Sequence, residues 1–210
     1  MSSKGHTQGG GPFKKREFQR KIIVDIEGFG DVTTLDEALE IAQEGTVIKL
    51  CEGVHLARTT ITKGGIKIEP YYKDKLVYIL GNEGPTIKID VKMDNPDDPE
   101  EASKKQVILK RVVLAHTGEA IVKNFKDLQF PKEFVDILKK KPNNKVLREM
   151  YLEPDMNTLI MVKSGGILMR NCLLTLRTLP KDLKRYVPAF VALPRTHVSI
   201  INCDFVGGSG

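Results

Sequence analysis

One pattern, written twice, limits the folds open to this chain more than anything else in it. Ser164-Gly165-Gly166-Ile167-Leu168-Met169-Arg170-Asn171-Cys172-Leu173-Leu174 aligns without a gap on Arg195-Thr196-His197-Val198-Ser199-Ile200-Ile201-Asn202-Cys203-Asp204-Phe205. Each copy follows a short apolar run, Leu159-Ile160-Met161-Val162 and Phe190-Val191-Ala192-Leu193. Asn171 falls on Asn202 and Cys172 on Cys203, a period of 31 residues, which belongs to solenoids, propellers and arrays.

Within a copy, Ile167/Met169 and Cys172/Leu174 alternate with other residues at a period of two, as do Val198/Ile200 and Cys203/Phe205. That alternation is the mark of strands with one buried face. Between the strand pieces stands an Asn, which tolerates left-handed backbone and can hydrogen-bond at a bend. Strand, bend, strand and return connection make one coil of a parallel β-helix, an all-β solenoid. Gln106–Leu114 fits the same template 60 residues earlier, with Arg111 in the place of Asn, and Gly64-Gly65-Ile66-Lys67-Ile68 is a shorter match.

The rest of the chain reads as entry, further coils and one interruption. Residues 1–12 are Gly-, Ser- and Gln-rich and are expected to be disordered. Ile22–Ile26 reads as the first strand. Thr34-Leu35-Asp36-Glu37 has capping-box spacing, and Leu35, Ala38, Leu39 and Ala42 form one stripe of a helix ending at Gly45. Thr46–Cys51 is a strand, Glu52–His55 a turn, and Leu76–Gly81 and Thr86–Val91 are further strands. Asn95–Glu101 reads as a solvated acidic loop without the ligand spacing of a calcium loop. Residues 119–157 do not fit the coil. Phe130–Lys139 in this insertion reads as an amphipathic helix, with a second over Lys145–Tyr151. The insertion is expected to pack on the outward residues Ile108, Val113, Leu168 and Leu173.

The capped helix at 34–42, then Gly45-Thr46-Val47-Ile48-Lys49-Leu50 and Gly53-Val54-His55, resembles the N-terminal entry of the pectin lyase-like right-handed parallel β-helices. The resemblance spans roughly 22–207 and implies that fold, with an N-terminal capping helix and a helical insertion. Val54 and His55 stand where that family more often has a small hydroxylic and an aromatic residue. Its enzymes act mostly on acidic polysaccharides: esterases with two Asp, an Arg and Gln on outward positions, lyases with calcium-binding acids and a basic Arg, hydrolases with clustered Asp. None of these sets matches here residue by residue. Arg170 and Arg195 do not share a column, Asp90 and Asp204 are isolated, and His55, His116 and His197 are dispersed. Nucleophile-elbow, phosphate-loop, dinucleotide and paired CxxC motifs are missing. The reading is therefore of a protein that is not an enzyme and needs no cofactor or metal.

Charge sharpens this. The net charge is +6, of which residues 1–21 hold +5, from Lys4, Lys14, Lys15, Arg16, Arg20 and Lys21 against Glu17. The remaining body carries +1. We read residues 1–21 as a flexible basic arm and 22–210 as the β-helix domain, with Lys14, Lys15, Arg16, Arg20 and Lys21 as the partner-binding residues. The expected partner is an acidic protein surface; nucleic acid would be bound without sequence specificity, since no recognition motif accompanies the arm or Lys139-Lys140-Lys141. Three scattered cysteines and the lack of an apolar leader or an 18-residue apolar window point to an intracellular, cytoplasmic or cytoskeletal setting, a cilium included. The last coil ends at Phe205-Val206 with no cap, so either the chain is the N-terminal part of a longer product or, the reading favoured of the two, another chain covers the open end. The sequence thus reads as a non-catalytic scaffold or protein-interaction module, with a carbohydrate-binding or polysaccharide-active β-helix as the alternative.

Overall fold

A computed structural model describes residues 20–57, 60–82, 84–116, 158–177 and 188–207. In chain order the elements are β1 (Lys21–Val24), α1 (Leu35–Ile41), β2 (Val47–Leu50), β3 (Gly53–Leu56), β4 (Thr60–Ile61) and β5 (Lys67–Pro70). Then follow β6 (Val77–Gly81), β7 (Pro85–Asp90), α2 (Pro99–Lys105), β8 (Val107–Lys110) and β9 (Val113–His116). The chain closes with β10 (Thr158–Ser164), β11 (Gly166–Arg170), β12 (Leu173–Thr175), β13 (Phe190–Ala192), β14 (His197–Ile201) and β15 (Asp204–Val206). They pair into three parallel sheets: a first, β1-β2-β5-β8-β11-β14; a second, β15-β12-β9-β6-β3; and a third, β13-β10-β7-β4. Each coil visits first, second and third sheet in turn, and the next coil lies in register upon it.

The ladder stacks like on like. Ile22, Ile48, Ile68, Leu109, Met169 and Ile200 are successive partners across the first sheet. Their side chains fill one inward column, and Ile48, Ile68, Leu109 and Met169 are wholly buried. Each such side chain contributes about 1.5–3 kcal/mol on leaving water. A second inward column, His55, Ile79, Leu114, Leu174 and Phe205, lies in the second sheet.

The two Asn-Cys copies lie on adjacent parallel rungs, with Arg170 beside Ile201 and Leu173 beside Asp204. Asn171 and Asn202 turn the corner with φ of 55° and 50°, and Arg111 does the same at 55°. Such backbone is uncommon outside Gly, Asn and Asp. The Cys172 amide donates to the Cys203 sulfur at 3.4 Å. Cys172 is buried, and that burial pushes its thiol up to about 11, so it packs as an apolar group.

The corners differ in what they allow. From first to second sheet most coils spend two residues, such as 111–112, 171–172 and 202–203; from second to third they spend 57–59, 82–84, 117–157 and 176–189.

At the N-terminal end the capping box at Thr34 is formed: its hydroxyl accepts from the Glu37 amide at 3.2 Å and the Glu37 carboxylate accepts from the Thr34 amide at 3.1 Å. Leu35, Ala38 and Leu39 face the core. The helix stops at Ile41, earlier than Gly45, because Ala42 is already extended at ψ 150°.

Two further expectations need correction. Glu52–His55 is not a turn: Gly53–Leu56 is strand β3, paired along its length with β6, and His55 points inward. The acidic loop closes into α2, because Asp98 accepts from the Glu100 amide at 2.9 Å, Pro99 opens the helix, and Lys104 and Lys105 pair with Glu100 and Glu101 one turn back. Ile108, Val113, Leu168 and Leu173 do point away from the core, each flanked by an inward neighbour. The insertion expected to cover them lies outside the described residues.

Candidate binding face

The register that buries the apolar column fixes what its neighbours do. On the outward side of the first sheet, Lys21, Val47, Lys67, Ile108, Leu168 and Ser199 follow one another across the rungs. Beside them runs Ile23, Lys49 and Glu69, continued on the later coils by Lys110, Arg170 and Ile201. Five cations, Lys21, Lys49, Lys67, Lys110 and Arg170, thus share one face with one carboxylate, a balance of 5 − 1 = +4. Strands lie about 4.8 Å apart, so this face presents charge at a short, regular spacing.

Glu69 is the hub of that face. Lys49 and Lys67 reach it at 2.5 and 3.1 Å, and it is nearly buried. Burial alone would raise its carboxyl, but the hydrogen bonds and charges of the two lysines outweigh it and hold the group below its ordinary value. Among the described residues Lys110 and Arg170 have no carboxylate within ion-pair distance. Lys21 sits 4.8 Å over the Tyr71 ring, which in turn packs edge-on against Tyr72.

Of the five arm residues, Lys14, Lys15 and Arg16 lie outside the described residues. Arg20 is exposed and Lys21 opens β1, which joins it to the outward face. The remaining cations of the face are far apart in the sequence, and only their register brings them together.

The acids disperse: Glu69 stands on the first sheet, Asp90 on the third and Asp204 on the second, all on outward positions. No two of these carboxylates share a face, so this trio does not form the paired set used in general acid and base chemistry. Among the described residues no group of three His, Cys, Asp or Glu is placed to hold a metal.

The three histidines among the described residues are each held by a backbone carbonyl. His55 and His116 are buried, donate from Nε2 to the Cys51 and Gly84 carbonyls at 2.8 and 2.9 Å, and are pushed below the ordinary imidazole value by desolvation. His197 bonds the Pro96 carbonyl at 2.8 Å and ties β14 to the loop before α2. Among the described residues no helix is long and apolar enough to cross a membrane.

No family model matches the sequence, and no curated protein matches it. Among solved structures, a pectin methylesterase mutant crystallised in complex with a hexasaccharide is similar, with a TM-score of 0.50 and 14% identity. The match covers 87% of this chain and 48% of that one, so the chain spans about half the neighbour's length. At this identity the likeness is one of fold, and that fold is the right-handed parallel β-helix. It lends no support to a cytoskeletal or ciliary setting.

Proposed function

Taking the β-helix fold as the premise, we propose that this chain is a non-catalytic module that binds an extended acidic carbohydrate along the outward face of the first sheet. The observation that carries the reading is the stack of Lys49, Lys67, Lys110 and Arg170 on successive coils, with the lone carboxylate among them already neutralised by two lysines. A flat face of cations matches a chain that repeats a carboxylate, and Arg170 offers the planar fork that binds one carboxylate through two bonds. Tyr71 and Tyr72 give the edge of this face aromatic surface for a sugar ring. The hexasaccharide held by the structural neighbour agrees with an oligosaccharide as the kind of ligand. The dispersal of Glu69, Asp90 and Asp204 favours binding without turnover.

The test is calorimetric titration with a de-esterified hexagalacturonide and with its methyl-esterified, neutral form. The acid form should bind, the affinity should fall with added salt as screening grows, and Lys110→Ser with Arg170→Ser should weaken it about tenfold or more. Equal affinity for the two forms, or full affinity in the double variant, would overturn the proposal.

A further inference from the structure

The corner between the first and second sheets holds a feature that the outward face does not use. Loop 71–76 takes a longer path there than the two-residue bends of later coils and stands beside the column Arg111, Asn171 and Asn202. Between loop and column lies an open groove of about 360 Å³, lined by Lys73, Asp74, Arg111, Asn171, Asn202 and Asp204 among others.

Arg111 is the odd member of that column. Two of its three bends are made by Asn, a residue that visits left-handed backbone readily, whereas Arg gains nothing there from its side chain. Its Nε is buried and, among the described residues, has no hydrogen-bond partner and no carboxylate within ion-pair distance. A buried guanidinium nitrogen without an acceptor is costly, and the side chain is only partly buried as a whole and lines the groove, where the rest of the guanidinium can meet a ligand oxygen. Lys73 on the facing loop also lacks an ion pair among the described residues, whereas Lys75 is committed to Glu52 at 3.0 Å. The other polar lining groups are the amides of Asn171 and Asn202, both exposed, and the carboxylates of Asp74 and Asp204. Such a set accepts and donates to hydroxyls but repels a bare second anion.

We infer that this groove binds a polyhydroxylated acid, a single sugar-acid unit, with its oxyanion on Arg111 and Lys73 and its hydroxyls on Asn171, Asn202 and Asp204. The volume suits one or two rings. The inference rests on the groove alone and stands whether or not a longer chain lies on the outward face.

The probes are D-galacturonate, glucose 6-phosphate and neutral D-galactose, followed through the arginine Nε–H signals of the labelled protein. Asn is the residue that makes the same bend on the later coils, so Arg111→Asn removes the guanidinium and keeps the backbone; unchanged thermal unfolding will confirm that it folds. Lys73→Gln on the exposed loop gives a second variant that does not touch the coil. The expected result is a saturable shift of the Arg111 Nε–H with an acidic sugar. Galactose should give none, and binding should weaken about tenfold or more in either variant. Galacturonate alone would assign the oxyanion as a carboxylate, glucose 6-phosphate alone as a phosphate. The shift should persist in the Lys110→Ser, Arg170→Ser protein, which separates this groove from the outward face. Binding of galactose as tight as that of the acids, undiminished binding in Arg111→Asn, or no saturable shift with either acid would overturn it.

Discussion

The middle and the last described coils use the same inward column and end in opposite states. Leu109 and Met169 are wholly buried, while Ile200, next in that column, is 43% exposed; Leu114 and Leu174 are buried, while Phe205, next in theirs, is 48% exposed. Strand geometry, bend and register are the same in both places, with φ of 55° at Asn171 and 50° at Asn202. Burial in this fold is therefore supplied by the coil above, and backbone geometry by the coil itself. At the N-terminal end α1 lays Leu35, Ala38 and Leu39 over the core, and there Ile22 and Val24 are buried.

This contrast can be broken by paired substitutions. Leu109→Ala should cost about 2–5 kcal/mol of unfolding free energy, the range for a large side chain lost from a packed core. Ile200→Ala should cost well under half of that, and equal losses in urea denaturation would show that the last coil is as closely packed as the middle. Asn171→Ala and Asn202→Ala sharpen it from the other side. Each removes the short polar side chain through which Asn tolerates left-handed backbone and leaves alanine there, at up to about 1–2 kcal/mol, and the two losses should agree although the burial of their neighbours does not. Thr34→Ala should cost about 1 kcal/mol and should raise amide exchange of β1 more than that of β14.

The smallest effect is on acid stability. His55 and His116 are held below the ordinary imidazole value in the folded state, first by desolvation, so the unfolded chain takes up their protons at the higher pH. Their contribution is present above the unfolded value, about 6.5, and is lost as pH falls through and below it. Denaturant midpoints should hold between neutral and mildly alkaline pH and drop towards pH 5, and His116→Gln should flatten that drop. An unaltered slope would mean that other groups set it.

How much of this was readable in advance follows from which contacts are local. The Asn-Cys copies are adjacent coils with short, matching corners, so their stacking could be read by aligning one on the other. Arg111 was harder, because 117–157 separates its coil from the next and Arg is not a bend residue by preference; yet it turns with the same φ as Asn171. The α2 helix was missed because prolines and acids describe a loop as well as a helix start, and the choice between them depends on Asp98 capping Glu100. The cationic face was invisible: Lys49, Lys67, Lys110 and Arg170 have no common spacing, and only the ladder places them side by side. The groove of Arg111 required, in addition, the path of loop 71–76.

The uneven corner between the second and third sheets has a practical meaning. Where 57–59 suffice in one coil and 117–157 intervene in another, the ladders on both sides keep their places, so contour length there is decoupled from register. Doubling such a connection costs only about 0.6 kcal/mol in closure entropy, which makes Gly81–Pro85 a port at which a reporter peptide can be spliced into the rod while the rungs on either side stay aligned.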